Sequence, residues 1–260
     1  MNRRLLVISD THCGSSMGLC PPDFRLNEGQ RIKLNKAQQW LWATYQDLLE
    51  WAEKLEPFDL VLNGDLIEGI HHRTTEVIGA DSADHFECAF ETLSPLVEMA
   101  SRTFVVRGTD THTGPSTEHG LAKVWKAVPD VKMDRAAWDR LDMDMCGIRC
   151  RFVHHGVGTR REWTRASALN VDIASHQLAS VYGGQVPPRV IGLGHFHHYA
   201  VYHDDRSLAF RTPSWQFHTR HTMKAVPWAQ NQAGAVMLDW SDLDDGELPR
   251  IRSFIRRPNE

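Results

Sequence analysis

The sequence lacks the features that mark membrane and secreted proteins. Among its 260 residues, no apolar run approaches the length of a membrane span. The run Leu5–Ile8, which follows Arg3 and Arg4, is too short for a signal peptide. We therefore expect a cytoplasmic protein that does not associate with a membrane.

Cysteine pairs and an excess of one charge are also absent. The five cysteines are odd in number and form no C-x-x-C pair, which argues against a disulfide framework and a structural zinc site. The formal net charge is only -4, so the overall balance does not indicate a nucleic-acid binder.

The composition is that of one large globular domain. Hydrophobic residues make up 42% of the chain and charged residues 24%, enough for a sizeable core. Because no repeat or linker interrupts the chain, we predict a single domain over residues 1–260. Two prolines among polar residues indicate an inserted loop near 18–34. Histidine, at fifteen residues, is the unusual count.

Short apolar runs alternate with helical patterns. Three late runs (Ser207–Thr212, Ala235–Trp240 and Ile251–Ile255) have short connections and suggest a second, antiparallel layer. Together the runs predict an α/β fold with a layered sheet. Five earlier runs are typical of strands buried on both faces. They are Leu5–Ser9, Phe58–Leu62, Thr103–Val106, Arg149–Val153 and Val190–Leu193.

Three long helices are predicted between these strands. Asn35 is expected to cap the first, whose apolar face includes Tyr45 and Leu48. The second covers about Ser82–Ala100 and the third about Glu162–Tyr182.

Each of the five buried strands is followed by acidic or histidine side chains. In open α/β sheets, ligands gather outside the carboxyl ends of the strands. Carboxylate oxygens and imidazole nitrogens that converge there suit a divalent metal ion. Five such strand ends in one chain are hard to ascribe to chance. The side chains are Asp10 and His12, Asp65 and Glu68, Asp110 and His112, His154 and His155, and His195 and His197.

These blocks resemble the calcineurin-like metallophosphoesterases. That family has D-x-H, G-D-x-x-[DE], G-N-H-[DE], a lone His and G-H-x-H, each after a strand. The resemblance spans residues 5 to about 198 and implies a four-layer α/β/β/α sandwich. The matching blocks are Asp10-Thr11-His12, Gly64-Asp65 with Glu68, His154-His155, and Gly194-His195-Phe196-His197.

The resemblance also implies two divalent metal ions, of Mn, Fe, Zn or Ni, held about 3.5–4 Å apart around a phosphoryl group. Asp65 would bridge both ions. Asp10, His12 and His197 would complete the site of the first ion.

The second ion would be held by His195 and by one residue of the His154-His155 pair. The sequence does not decide between the two, although His154 is favoured because it directly follows the apolar run. Glu68 is expected to support the ligands rather than to bind metal.

The third block departs from the family pattern. Where G-N-H-[DE] is expected, the chain has Gly108-Thr109-Asp110-Thr111-His112. We predict that Asp110 replaces the missing Asn as a ligand of the second ion, with the hydroxyl of Thr109 as the alternative. His112, in its protonated form, is predicted to assist the leaving group.

Basic residues near the blocks are candidates for substrate binding. Arg107 directly precedes the third block, and Arg160 and Arg161 follow the histidine pair, close to Trp163. The arginines would contact phosphate, and the tryptophan ring suits stacking against a base. An ordinary solvated helix start is an equal alternative for this cluster.

The sequence thus predicts a metallophosphoesterase that hydrolyses a phosphodiester or phosphomonoester through two metal ions and a bridging hydroxide. Asp65 and His112 are the predicted catalytic residues. The expected partner is a phosphate-ester substrate, with nucleotides and nucleic acids as candidate classes. The alternatives are a nuclease of the same chemistry and a non-catalytic scaffold that keeps the fold.

Overall fold

The strands of the protein alternate with helices along the chain. The computed structural model describes residues 2–71, 74–114, 116–158, 161–225 and 230–258. Within them the strands, in chain order, are β1 (Arg4–Ile8), β2 (Asp59–Asn63), β3 (Thr103–Val106), β4 (Leu141–Met145), β5 (Ile148–Phe152), β6 (Val190–Leu193), β7 (Ala200–His203), β8 (Leu208–Arg211), β9 (Ala233–Asp239) and β10 (Arg250–Arg256).

Six helices connect or flank these strands in the described residues. A 3-10 turn, Glu162–Thr164, precedes the fifth helix. Within the described part of the chain, no helix has both the length and the apolarity that crossing a membrane requires. The helices are α1 (Lys36–Glu53), α2 (Ser82–Met99), α3 (Asp110–Thr113), α4 (Thr117–Val124), α5 (Arg165–Tyr182) and α6 (Arg220–Ala225).

The strands form two five-stranded sheets. The first has the order β10-β9-β1-β2-β3 and the second the order β4-β5-β6-β8-β7. Strands β1, β2 and β3 are parallel, as are β5, β6 and β8. The remaining strands pair antiparallel with their neighbours. The carboxyl ends of the parallel strands therefore meet at one edge of each sheet.

Three apolar clusters separate four layers. Leu6 of β1 packs on the outer side of the first sheet, in one cluster with Tyr45 of α1. Leu5, its neighbour, points the opposite way, into a cluster between the sheets that includes Phe152. Ile173 of α5 belongs to a third cluster, on the outer side of the second sheet. The predicted α/β/β/α sandwich is confirmed.

The five buried strands are confirmed to within one residue at each end, and the three late runs also form strands. The prediction that these late strands form a second, antiparallel layer is wrong. β8 lies parallel to β6 inside the second sheet, and β9 and β10 extend the first sheet beside β1. They do not form a layer of their own. Hydrophobic runs show which segments are buried. They contain little information about which neighbouring strand each segment pairs with.

The predicted loop at 18–34 is described throughout and contains no helix or named strand. Its apolar side chains Leu19, Phe24 and Leu26 are nevertheless buried in the cluster under α1. The loop is therefore part of the core beside the first layer. That it is an insertion stays a prediction.

The cap predicted for α1 is confirmed. The Asn35 side chain accepts a hydrogen bond from the backbone N–H of Gln38 at 3.0 Å. The Gln38 side chain accepts one in return from the backbone N–H of Asn35 at 3.3 Å. This reciprocal capping box satisfies two donors that would otherwise lack a partner at the start of the helix.

We expect Asn35→Ala to lower the free energy of unfolding by about 1 kcal/mol, because the first turn of α1 loses its acceptor. Asn35→Asp keeps an acceptor and should retain most of the stability. Chemical denaturation followed by circular dichroism measures both variants. Gln46→Ala, on the exposed face of the same helix, is the control. A loss for Asn35→Ala no larger than that of the control would contradict the capping role.

Candidate metal centre

The loops that follow the parallel strands converge at a shared edge of the two sheets. The backbone N–H of Asp10 donates to the Gly64 carbonyl at 2.9 Å, and that of His12 donates to the Asp65 carbonyl at 3.0 Å. Across the sheets, the backbone N–H of His195 lies 3.1 Å from both carboxylate oxygens of Asp10. The loops after β1, β2 and β6 are thus fixed to one another.

The backbone at these loops is unusual. In the left-handed region a side chain crowds the following carbonyl, which costs roughly 1–2 kcal/mol for each residue. Among the described residues, nine residues other than glycine have positive φ, and five of these are predicted ligands. Strained backbone concentrated in this way indicates a functional site. The five are Asp10 (54°), His12 (43°), Asp65 (51°), His195 (71°) and His197 (57°).

Asp10, His12 and His197 form what we call the first ligand group. Two imidazole nitrogens, Nε2 of His12 and Nε2 of His197, lie 3.2 Å apart. The Asp10 Oδ1 atom lies 3.3 Å from the His197 nitrogen and 4.0 Å from the His12 nitrogen. Ligands that bind one ion at about 2.1 Å are themselves roughly 3–3.4 Å apart, so these donors are close to the spacing of a shared ion.

Asp65, His154 and His195 form the second ligand group. The Asp65 Oδ2 atom lies 2.9 Å from Nε2 of His154. His154 is buried, and its Nδ1 donates to the carbonyl of Asn63 at 2.8 Å, which directs Nε2 toward the group. His155 is exposed, and its Nε2 lies 3.3 Å from the hydroxyl of Thr109. Of the histidine pair, His154 therefore lies among the candidate ligands and His155 lies at the rim.

The two ligand groups adjoin. Asp10 Oδ1, from the first group, is 3.9 Å from Nε2 of His154, in the second group. Gly64 and Gly108 keep the space between them open. A Cβ atom on Gly64 would lie 2.5 Å from Nδ1 of His154, and one on Gly108 would lie 2.2 Å from Oδ1 of Asp65. These close approaches require glycine at both positions.

The buried carboxylates and imidazoles shift one another's pKa values. Burial alone would raise the pKa of Asp10, but the neighbouring imidazoles, His154 foremost, lower it to about 2. Burial would also raise the pKa of Asp65, but His154 holds it well below its usual range. Burial opposes charge on the imidazoles, yet the carboxylates raise the pKa of His154 to about 10. Glu68 likewise raises the pKa of His12 to about 9, despite burial.

This donor set fits divalent cations. The raised imidazole pKa values show that the carboxylates create a buried environment that stabilises positive charge. A divalent ion supplies that charge in place of the protons, which it would release on binding. Two carboxylates and four imidazoles suit Mn, Fe, Zn or Ni and do not select among them.

Glu68 lies behind the first ligand group. Its Oε2 is 2.9 Å from Nδ1 of His12, and its Oε1 is 2.9 Å from Nε2 of His71. The Gln216 side chain donates to Oε2 at 2.7 Å. A carboxylate that binds the outer nitrogen of a ligating histidine fixes its tautomer and its orientation. This position matches the supporting role predicted for Glu68.

At the third block the structure brings Thr109 to the ligands and not Asp110. The backbone N–H of Thr109 donates to Asp65 Oδ1 at 2.6 Å, and its hydroxyl donates to Asp65 Oδ2 at 3.1 Å. The side chain of Asp110 is 82% exposed and pairs with Arg107 at 2.5 Å. The physical reason is that α3 begins at Asp110, so its carboxylate is turned outward at the first helical position. The structure does not place Asp110 among the ligand groups, and its role as a metal ligand stays a prediction.

His112 lies beside the first ligand group. Its Nδ1 donates to the backbone carbonyl of Glu68 at 3.0 Å, and its ring contacts His12 edge-on at a centroid distance of 4.9 Å. Burial and the neighbouring His12 lower the pKa of His112 to about 4. The role of a protonated His112 at the leaving group stays a prediction.

Of the three predicted substrate arginines, Arg107 is already engaged by carboxylates. Besides Asp110, Arg107 binds Asp139 at 2.9 Å. Arg161 is exposed directly before the 3-10 turn, and Arg160 lies outside the described residues. An open cleft of about 470 Å³ adjoins the second ligand group. Its lining includes Arg107, Thr109, Asp110, Asp139, His154 and His155.

Sequence reasoning missed Glu118. This buried side chain on α4 accepts hydrogen bonds from the backbone N–H groups of Gly108, at 2.7 Å, and Leu66, at 3.2 Å. It joins the loops that carry Asp65 and Thr109. Burial, aided by the charge of Asp65, raises the pKa of Glu118 to about 7. No motif marks this residue, because it comes from a helix outside the strand-end blocks.

No family model matches the chain, and no curated protein matches it. Several solved structures resemble it over almost their full length. A novel archaeal phosphodiesterase is 11% identical, with a TM-score of 0.49 and coverage of 97% of this chain and 99% of that one. Vps29 from Entamoeba histolytica, solved in complex with zinc, is 12% identical, with a TM-score of 0.44 and 98% coverage of both chains. A predicted phosphoesterase from Streptococcus pneumoniae is 12% identical, with a TM-score of 0.37 and coverage of 98% and 99%.

With each of these TM-scores below 0.5, the likeness alone does not carry the assignment. The assignment depends on features of this chain: two mixed sheets between outer helices, with the D-x-H, G-D and G-H-x-H blocks at the ends of parallel strands. The chain has the fold of the calcineurin-like metallophosphoesterases.

Proposed function

We propose that the protein is a metal-dependent phosphoesterase that acts on phosphodiesters, with phosphomonoesters as the second substrate class. The observation that carries this proposal is the pair of adjoining ligand groups at the shared sheet edge. A scaffold has no physical need to bury several carboxylates and imidazoles together, because each burial is costly without a partner.

In this proposal each ligand group would hold one divalent ion, and Asp65 would serve both groups. Divalent ions would supply neutralisation of the phosphate charge and a more acidic attacking water. The chain itself orients the carboxylates. Both oxygens of Asp65 accept hydrogen bonds from Thr109, and the Asp10 carboxylate is held by the backbone N–H of His195. These bonds position the ligands before any ion or substrate binds.

The substrate would enter through the cleft beside the second ligand group. His155 is the exposed imidazole at this rim, and Thr109 lies next to it. Arg107 lines the cleft as well, but the carboxylates of Asp110 and Asp139 already neutralise it. We therefore assign the main polar contact with substrate to His155 and a smaller contribution to Arg107.

The proposal predicts two bound transition-metal ions per chain and hydrolysis of bis(p-nitrophenyl) phosphate. Asp65→Asn should lower turnover by more than about a hundredfold and reduce bound metal, because a shared ligand loses its charge. The fold should persist with some loss of stability in the metal-free protein, because the ionised Asp65 pairs there with His154. Metal analysis, turnover at matched metal loading and circular dichroism measure the three effects.

Asp47→Asn, on the exposed face of α1, is the matched control. Wild-type turnover by Asp65→Asn would refute the shared-ligand assignment. A wild-type protein that binds metal but hydrolyses neither this ester, a nitrophenyl monoester nor single-stranded DNA would favour the scaffold.

The third block gives a second prediction. Thr109→Ala removes the hydroxyl that holds Asp65, so kcat/KM should fall about tenfold or more, whereas Thr109→Ser should retain most of it. Asp110→Ala should change kcat/KM and metal content little, because that carboxylate faces solvent. If Asp110→Ala loses an ion while Thr109→Ala does not, the original assignment of Asp110 is right.

A third prediction concerns the support of His12. Glu68→Gln should weaken metal affinity by about 10–100-fold, because the amide no longer fixes the charge and tautomer of His12. Competition with a chromophoric chelator measures the affinity, and activity should recover when metal is raised. Glu91→Gln, exposed on α2, serves as the control. Equal affinities for the two variants would reduce Glu68 to a packing residue.

A further inference from the structure

The long helices of the two outer layers differ in their exposed faces. α1, α2 and α5 each contain 18 residues. α1 exposes Asp47 and Glu50, and α2 exposes Glu87 and Glu91. Residues 166–186 are all described by the structure, and none of their exposed side chains is charged. The outer face of α5 therefore lacks the charge that a helix face usually presents to water.

Large apolar side chains concentrate on the same face. The one acidic residue of α5, Asp172, is buried and lies 3.3 Å from Arg211. Of the twelve large apolar side chains exposed in the described residues, six occur between 163 and 186, where each is 51–82% exposed. An apolar surface of this extent, without exposed charge over residues 166–186, marks an interaction site. We name these six the α5 patch: Trp163, Val171, Leu178, Val181, Tyr182 and Val186.

The middle of α5 is complementary to itself. Ala174 and Ser175 are exposed, small and central. If two copies of the helix pack antiparallel about the midpoint between them, Val171 of one copy faces Leu178 of the other. The small central residues allow the helix axes to approach closely, and the flanking apolar pairs then close the contact.

The ends of the helix follow the same symmetry. Ser167, which is exposed, and Tyr182 are equally far from the midpoint along the chain, so a small residue faces a large one. Outside the helix, Trp163 and Val186 are also the same number of residues from this midpoint. Within the helix, a two-fold axis through the midpoint therefore pairs Ser167 of one copy with Tyr182 of the other.

We propose that the α5 patch binds a second copy of the chain in a two-fold, antiparallel arrangement. Charge favours this occupant. A chain with a net charge of -4 repels its own copy wherever acidic faces meet. Here the acidic faces of α1 and α2 lie in the opposite outer layer, and the uncharged face of α5 meets its own copy without such repulsion.

The area of the contact limits how tightly two copies of the chain can bind. A helix of 18 residues is about 27 Å long and offers on the order of 450 Å² on its outer half. Trp163 and Val186 extend this surface at the two ends. A total of about 1,000 Å² is at the low end for a specific interface. The dimer is therefore reversible, and dilution separates it.

Sedimentation velocity over protein concentrations from about 1 μM to about 1 mM tests the proposal. The wild-type chain should change from monomer to dimer in this range. Val171→Lys and Leu178→Glu should each weaken association by more than about tenfold, because each places an unpaired charge in the contact. Ala43→Glu, on the exposed face of α1, should leave association unchanged.

Mixing tests the antiparallel register. In an equimolar mixture of Val171→Lys and Leu178→Glu, the new lysine of one copy faces the new glutamate of the other, so association should recover. The chain with both substitutions should dimerise for the same reason, which also shows that neither substitution prevents folding. A wild-type protein that stays monomeric throughout overturns the proposal. Failure of both the mixture and the double variant to associate overturns the two-fold register.

Discussion

The site depends on left-handed backbone at five residues that follow three strands, β1, β2 and β6. A strand that continued would point successive side chains to opposite faces, and the carboxylates and imidazoles would not meet. Positive φ at Asp10, His12, Asp65, His195 and His197 turns each loop inward. Five such residues cost roughly 5–10 kcal/mol in total, as much as the net stability of many domains. The buried strands and the hydrogen bonds between the loops must offset that cost.

The same geometry creates an electrostatic requirement. Asp10, Asp65, Glu68 and Glu118 are all buried near one another. Without ions, protons on the imidazoles of the site balance part of this charge, and burial with Asp65 raises the pKa of Glu118 to about 7. Divalent ions would take over the role of those protons. Metal affinity and folding stability are therefore linked through the same carboxylates.

The sequence predicted the layers and most of the candidate ligands because both depend on local patterns. Buried strands read as apolar runs, and a ligand directly after a run is constrained to the sheet edge. At the third block the structure departs from the expected arrangement at one residue: α3 starts at Asp110, which turns this side chain outward and leaves Thr109 facing Asp65. Glu118 was missed because it reaches the loops from α4 by tertiary contact. The partners of β8 and β9 likewise depend on long-range pairing that hydrophobicity does not encode.

The face of α5 and the ligand loops share one support. Asp172, on the inner face of α5, accepts a hydrogen bond from the backbone N–H of Val157, in the loop after His154. Arg211 binds Asp172 and stacks on Phe196, with its guanidinium carbon 4.4 Å from the ring centroid. Phe196 lies between the two histidines of the G-H-x-H block. A partner on the outer face of α5 would therefore restrain the helix that supports the His154 and His195 loops from behind.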